Sequence, residues 1–68
     1  MKLVYENDKN TEVKVGDKVK TFRGDEVQVE SFREPHRAGS TGRVYVRHPG
    51  ATYASEYFPG VIGACWID

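Results

Sequence analysis

The chain has 68 residues, of which 38% are hydrophobic, and its ten basic residues are balanced by ten acidic ones. A chain of this length holds a single domain, here residues 1–68, which buries roughly 60% of the surface that its unfolded form exposes. The zero net charge argues against a protein whose main task is to grip nucleic acid. No apolar run approaches the roughly 18 residues that a membrane-spanning helix needs, so no membrane partner is expected.

The N-terminal segment and the cysteine content concern the cellular compartment. The first ten residues, MKLVYENDKN, turn acidic and polar after four positions and lack the apolar core of a secretion signal. Cys65 is the only cysteine, so the chain cannot form an internal disulfide. Both features predict a cytoplasmic location.

The first strong strand pattern lies in the sequence VKVGDKVKTFRGDEVQVESF, which is predicted to form a β-hairpin. A loop of three residues, 23–25, would pair Val19 with Val29 on one face. It would also set Lys18 opposite Glu30 on the other face. This register is preferred because apolar side chains oppose each other and a positive charge opposes a negative one.

The next strand is predicted in GRVYVRH, where apolar and polar residues again alternate. Val44 and Val46 should face the core. Arg43, Tyr45 and Arg47 should then share the opposite, solvated face, because successive side chains of a strand point to opposite sides. The segment PHRAGST before this strand is predicted to be a solvated loop, and HPGAT after it a tight turn.

The C-terminal segment, SEYFPGVIGACWID, combines strand breakers with large apolar side chains. A single 3₁₀ turn would accommodate Pro59 and Gly60 and tuck Val61 and Ile62 under the sheet, and a last strand would run through Trp66. The whole chain is thus predicted to be all-β, with five short strands in one barrel and a 3₁₀ turn before the last strand. Its predicted core is Val19, Val27, Val29, Val44, Val46 and Ile62, with Trp66 packed against it.

This arrangement resembles the SH3-like barrel superfamily. The tail from Tyr57 to Ile67, YFPGVIGACWI, is similar to the place where SH3 domains carry an aromatic residue, a proline, a turn and the last strand. VGDKV, with the later Gly24, resembles the KOW motif of ribosomal proteins and transcription elongation factors. The ALYDY-type segment and the paired mid-chain tryptophans of peptide-binding SH3 domains are missing, since Trp66 is the only tryptophan. Recognition of proline-rich peptides is therefore not implied.

The middle third of the chain is its basic part. Residues 31–50 contain four arginines against Glu34 alone, together with both histidines. The predicted binding residues lie on the strand face and in the loop before it: Arg43, Tyr45, Arg47, His36 and Arg37. An aromatic ring between two guanidinium groups suits the stacking of a base between phosphate contacts. It equally suits acidic side chains of a protein partner, and the same pattern is typical of an ordinary solvated sheet face.

A non-enzymatic module that binds another protein is the first functional hypothesis. Nucleic-acid binding through the same face, in the manner that the KOW resemblance implies, is the alternative, and strand addition at an open sheet edge is a third possibility. His36, His48 and Cys65 lack the paired spacing of a zinc site. Exposed turn carboxylates such as Asp25 and Glu26 are poor general acids or bases. No metal, cofactor or catalytic residue is therefore expected.

Overall fold

A computed structural model of the chain describes residues 1–36 and 40–67. These residues are all-β apart from one 3₁₀ helix, Pro59–Ile62. None of them belongs to a helix of the length and apolarity that a membrane crossing requires. The strands, in chain order, are β1 (Lys2–Tyr5), β2 (Asp8–Glu12), β3 (Lys18–Lys20), β4 (Glu26–Arg33), β5 (Arg43–Arg47), β6 (Ser55–Tyr57) and β7 (Ala64–Ile67).

The strands form two antiparallel sheets, one in the order β2-β1-β7 and the other in the order β3-β4-β5-β6. The all-β prediction is confirmed, but the described residues contain seven strands and not the predicted five, and these form two sheets that do not close into one barrel. The two strands that were not predicted are β1 and β2, which pair as the N-terminal hairpin. Every residue of β2, DKNTE, is exposed, so this edge strand lacks the apolar alternation by which strands are recognised.

The core lies between the two sheets. The predicted positions Val27, Val29, Val44, Val46 and Ile62 are buried, and both Val19 and Trp66 pack against them while only half-buried. Apolar residues of β1, of the β2–β3 connection and of β7 were not predicted and are also buried: Leu3, Val4, Val13 and Ala64. The predicted 3₁₀ turn is confirmed, although Val61 is only half-buried beside the buried Ile62.

The β3–β4 hairpin has a different register from the predicted one. Val19 lies opposite Val27 instead of Val29, and Lys18 does not lie opposite Glu30. The two registers differ by two residues, which is one full period of side-chain alternation in a strand. The inward and outward faces are therefore the same in both, and the predicted core survives the error.

The loop of this hairpin explains the register. Thr21 N–H donates to Asp25 O at 2.9 Å and Gly24 N–H donates to Thr21 O at 2.8 Å, so the loop residues are 22–24. Gly24 has φ +87°, the left-handed conformation needed at the last position of a three-residue hairpin loop. Placing the glycine last, and not in the middle, moves the loop by one residue and sets Lys20 opposite Glu26.

The half-buried Tyr5 links the N-terminal hairpin to the residue directly before β3. Tyr5 Oη donates to Asp17 Oδ2 at 2.9 Å, and the same oxygen accepts Lys14 N–H at 3.0 Å. Burial, followed by the Asp17 hydrogen bond, raises the pKa of Tyr5 from 10.0 to about 12. The folded state therefore favours the neutral phenol. Its contribution to stability is complete below pH 10 and is lost as the pH rises towards 12.

We expect the free energy of unfolding to fall more steeply between pH 10 and pH 12 in the wild type than in a Tyr5→Phe variant, because phenylalanine has no proton to lose. Urea denaturation at several pH values in this range measures both slopes. Tyr53→Phe is the control, since Tyr53 is three-quarters exposed. Equal slopes in the wild type and the Tyr5→Phe variant would show that Tyr5 does not contribute to the alkaline loss of stability.

Candidate functional site

The side chains of β5 point alternately to the two sides of the sheet, as predicted. Val44 and Val46 are completely buried, while Arg43, Tyr45 and Arg47 are half-buried on the other side of the sheet. Neighbouring strands add further charged residues to that side. We define the outer face as the six side chains Glu30 and Arg33 of β4, Arg43, Tyr45 and Arg47 of β5, and Glu56 of β6.

At one end of the outer face, Arg47 is paired with the carboxylate of Glu30. Arg47 donates from Nε and Nη2 to the two carboxylate oxygens of Glu30, the second bond being 3.0 Å long, and from Nη1 to Ala51 O at 3.3 Å. A β-bulge between Val29 and Ser31 adds Glu30 to the strand as the extra residue. The hydrogen bond from Arg47 lowers the pKa of the Glu30 carboxyl and raises that of the guanidinium. Arg47 is thus neutralised within the chain.

The other end of the outer face has two arginines around one carboxylate. Arg43 Nε lies 4.0 Å from Glu56 Oε1, and Arg33 Nη2 lies 3.9 Å from Glu56 Oε2. Tyr45 Oη donates to Glu56 Oε2 at 2.8 Å, and this bond raises the pKa of the phenol. The two guanidinium groups share a single negative charge, so this end of the face is positive.

An exposed phenylalanine extends this positive end. The guanidinium carbon of Arg43 lies 4.3 Å from the centroid of the Phe58 ring, within the range of a cation–π contact. Arg43 Nη1 also donates to Gly42 O at 2.6 Å, which fixes the side chain above the ring. Phe58 is 55% exposed, so its ring presents apolar surface to solvent beside this arginine.

Phe58 forms one wall of a groove of about 540 Å³. The groove is lined mainly by apolar side chains, among them Met1, Pro35, Pro59 and Trp66. Trp66 is held in place because its Nε1 donates to Thr41 O at 2.7 Å and its ring packs edge-on against Phe32, with centroids 6.0 Å apart. The outer face and the groove are therefore adjacent and share Phe58 as their boundary.

The structure does not bring all predicted binding residues together. Arg43, Tyr45 and Arg47 share one face, but His36 is exposed in the loop after β4, and no hydrogen bond or ion pair between described residues joins it to that face. Arg37 lies outside the described residues. Sequence reasoning missed the residues that complete the surface: Glu30, Arg33, Glu56 and Phe58. Arg33 belongs to the basic middle third, which was the one available signal for it.

The residues considered as metal ligands have other surroundings. His48 Nε2 lies 3.0 Å from Tyr57 Oη, and the two rings pack edge-on. Cys65 is half-buried and lines the groove. Within residues 1–36 and 40–67, no three His, Cys, Asp or Glu side chains lie close enough together to hold a metal ion.

The outer face offers guanidinium donors, two carboxylates and an aromatic ring on paired strands. These groups can bind charged or polar partners but form no nucleophile–base pair. No family model, curated protein or solved structure matches the chain. A functional hypothesis for this chain therefore rests on the chemistry of the outer face and the adjoining groove.

Proposed function

We propose that the protein is a non-enzymatic module that binds another protein through its outer face. The observation that carries the proposal is the charge pairing on that face. Arg47 is hydrogen-bonded to Glu30, and Arg33 and Arg43 share Glu56. Guanidinium groups, a tyrosine and an exposed aromatic ring are typical of the residues that dominate protein–protein binding energy.

The same pairing makes nucleic acid the weaker alternative. Affinity for a phosphate backbone comes mainly from cations that replace its counterions. On the outer face, two carboxylates lie between the arginines and would approach the same phosphates. The hydroxyl of Tyr45 is also engaged by Glu56. A protein partner, which presents both signs of charge, fits this mixed face better.

The outer face is already ordered before binding. Its side chains lie on strands of one sheet, and hydrogen bonds within the chain hold Arg43, Tyr45 and Arg47 in place. A surface that is fixed in advance loses less conformational entropy on association. This supports binding through the side chains of the face.

The resemblance to SH3-like barrels belongs to the same proposal. Its support is two small antiparallel sheets around one core and a 3₁₀ helix directly before the last strand. Small domains of this kind commonly serve as binding modules, although a fold by itself does not determine a function. The single cysteine, Cys65, supports a cytoplasmic location for the module.

A triple variant tests the proposal: Arg43→Ser, Tyr45→Ser and Arg47→Ser together. Exposed ion pairs contribute about 0–1 kcal/mol each, so the variant should remain folded. The control is Lys9→Ser, Arg23→Ser and Tyr53→Ser, which likewise removes two positive charges and one tyrosine, but from exposed positions outside the face. We expect immobilised wild type and control to capture the same protein from nuclease-treated host lysate, and the triple variant to capture none.

Two results would contradict the proposal. Undiminished capture by the triple variant, with a dispersed amide spectrum showing that it is folded, would exclude the outer face. Capture that disappears from the wild type after nuclease treatment would identify nucleic acid as the partner. In that case affinity should also fall steeply with salt, by roughly 40-fold between 50 and 200 mM for three phosphate contacts.

A further inference from the structure

We propose that the positive end of the outer face and the adjoining groove together bind an extended peptide segment of the partner, with an acidic side chain close to a large apolar one. The acidic group would lie on Arg33 and Arg43, and the apolar side chain would enter the groove beside Phe58. This inference rests on the proposed function and specifies which partner segment the surface recognises.

The acidic group is inferred from the two arginines. Their nitrogen atoms lie 3.9 and 4.0 Å from the carboxylate oxygens of Glu56, beyond the usual range of a hydrogen bond. Glu56 meanwhile accepts the hydroxyl of Tyr45 at 2.8 Å. Arg33 and Arg43 therefore retain donors for a second carboxylate, which a planar guanidinium group binds well through two parallel hydrogen bonds.

The apolar side chain is inferred from the groove. Its volume of about 540 Å³ lies within the range of ligand-binding clefts. Phe58 is 55% exposed and Met1 is 60% exposed, so the groove presents apolar surface to solvent. Because the Phe58 ring also lies under the Arg43 guanidinium group, a side chain in the groove would be next to one bound by the arginines.

Charge also distinguishes the two ends of the groove. Glu6 lines the groove, and its main-chain N–H donates to the carbonyl oxygen of Gly63, the residue directly before β7. Trp66 lies three residues further along β7, where it contacts Thr41, close to Arg43 in the sequence. An acidic side chain of the peptide would be repelled near Glu6 and attracted near Arg43. The groove thus favours an acid at one end only.

A random library of twelve-residue peptides displayed on phage tests the inference with the full-length protein as bait. We expect the enriched sequences to carry Asp or Glu within three positions of Phe, Leu, Ile or Trp. Trp66 is the only tryptophan of the protein. Synthetic versions of the enriched peptides that lack tryptophan should therefore change its fluorescence emission when they fill the groove.

Variants separate the two halves of the site. We expect Arg33→Ser with Arg43→Ser to weaken an enriched acidic peptide at least about tenfold, as the loss of charged hydrogen bonds would. A peptide with Asn and Gln in place of its acids should bind this variant and the wild type equally. Phe58→Ser should weaken both peptides. Its control, Phe22→Ser, alters a phenylalanine that is 75% exposed in the β3–β4 loop and should change neither affinity.

Failure to enrich any sequence, enrichment without acidic residues, or equal binding to wild type and Phe58→Ser would overturn the inference. Failure of the peptide-binding inference can be distinguished from failure of the proposed function. A Phe58→Ser bait that still captures the cellular partner, while the triple variant of β5 does not, would leave the outer face as the binding surface and reject the groove. Capture by the triple variant would reject the proposed function itself.

Discussion

Truncation of the chain after Tyr57 should leave a polypeptide that does not fold. The removed segment contains the buried residues Ile62 and Ala64 and the whole of β7, which pairs with β1 over four positions. It also contains Val61, whose carbonyl accepts Phe22 N–H at 2.9 Å. Of the strands that the structure describes in the first sheet, the β1–β2 hairpin alone would remain, and an isolated hairpin is marginal in water.

Loss of this segment should be enough to unfold the domain, because a domain of this size has a small free energy of unfolding. Each large apolar side chain that is fully buried stabilises a fold by about 1.5–3 kcal/mol, and domains have only about 5–15 kcal/mol in total. An amide correlation spectrum measures the result, with a chain lacking only Asp68 as the control. Dispersed amide resonances from the truncated protein would show that β3–β6 fold without the C-terminal segment.

Substitution of Gly42 by alanine should be among the most destabilising single changes in the protein. A Cβ atom at this position would lie 2.4 Å from Arg33 O, 2.9 Å from Trp66 Nε1 and 3.1 Å from Pro35 N. Two of these atoms belong to the main chain and cannot move aside independently. Gly42 also has φ +63°, a conformation that costs other residues about 1–2 kcal/mol.

We expect Gly42→Ala to lower the free energy of unfolding by about 2–5 kcal/mol, since steric overlap in a packed site typically adds 1–3 kcal/mol to the backbone term. Gly50→Ala is the matched control. Gly50 has φ +79°, but no atom of residues 1–36 or 40–67 would lie within 4 Å of its added Cβ, so that variant loses only the backbone term. Urea denaturation compares the two. Equal losses of unfolding free energy in the two variants would show that the close packing of Gly42 against β4 and Trp66 does not contribute to the destabilisation.

Strands with one buried face were the most predictable part of this molecule. Val27 and Val29 in β4 and Val44 and Val46 in β5 alternate with polar residues, and all four are buried. The edge strand β2 could not be found in this way because both of its faces are exposed. Its presence depends on pairing with β1, which is a tertiary interaction and leaves no periodic pattern in the sequence.

The candidate site was predictable only along a single strand. Alternation within β5 places Arg43, Tyr45 and Arg47 on one face, but their partners depend on cross-strand register. Glu30 reaches Arg47 because of a β-bulge, and the sequence of β4 has no glycine that would indicate it. The groove draws on both ends of the chain and on two loops, so no local pattern could reveal it.

Binding of another protein through the outer face can be measured directly by amide chemical shifts. The isotope-labelled protein would be titrated with the purified partner captured from nuclease-treated lysate. Binding through this face should produce the largest shift changes at Arg33, in Arg43–Arg47 and from Glu56 to Phe58. Changes concentrated in β2 or in the β3–β4 loop, with the outer face unaffected, would contradict it.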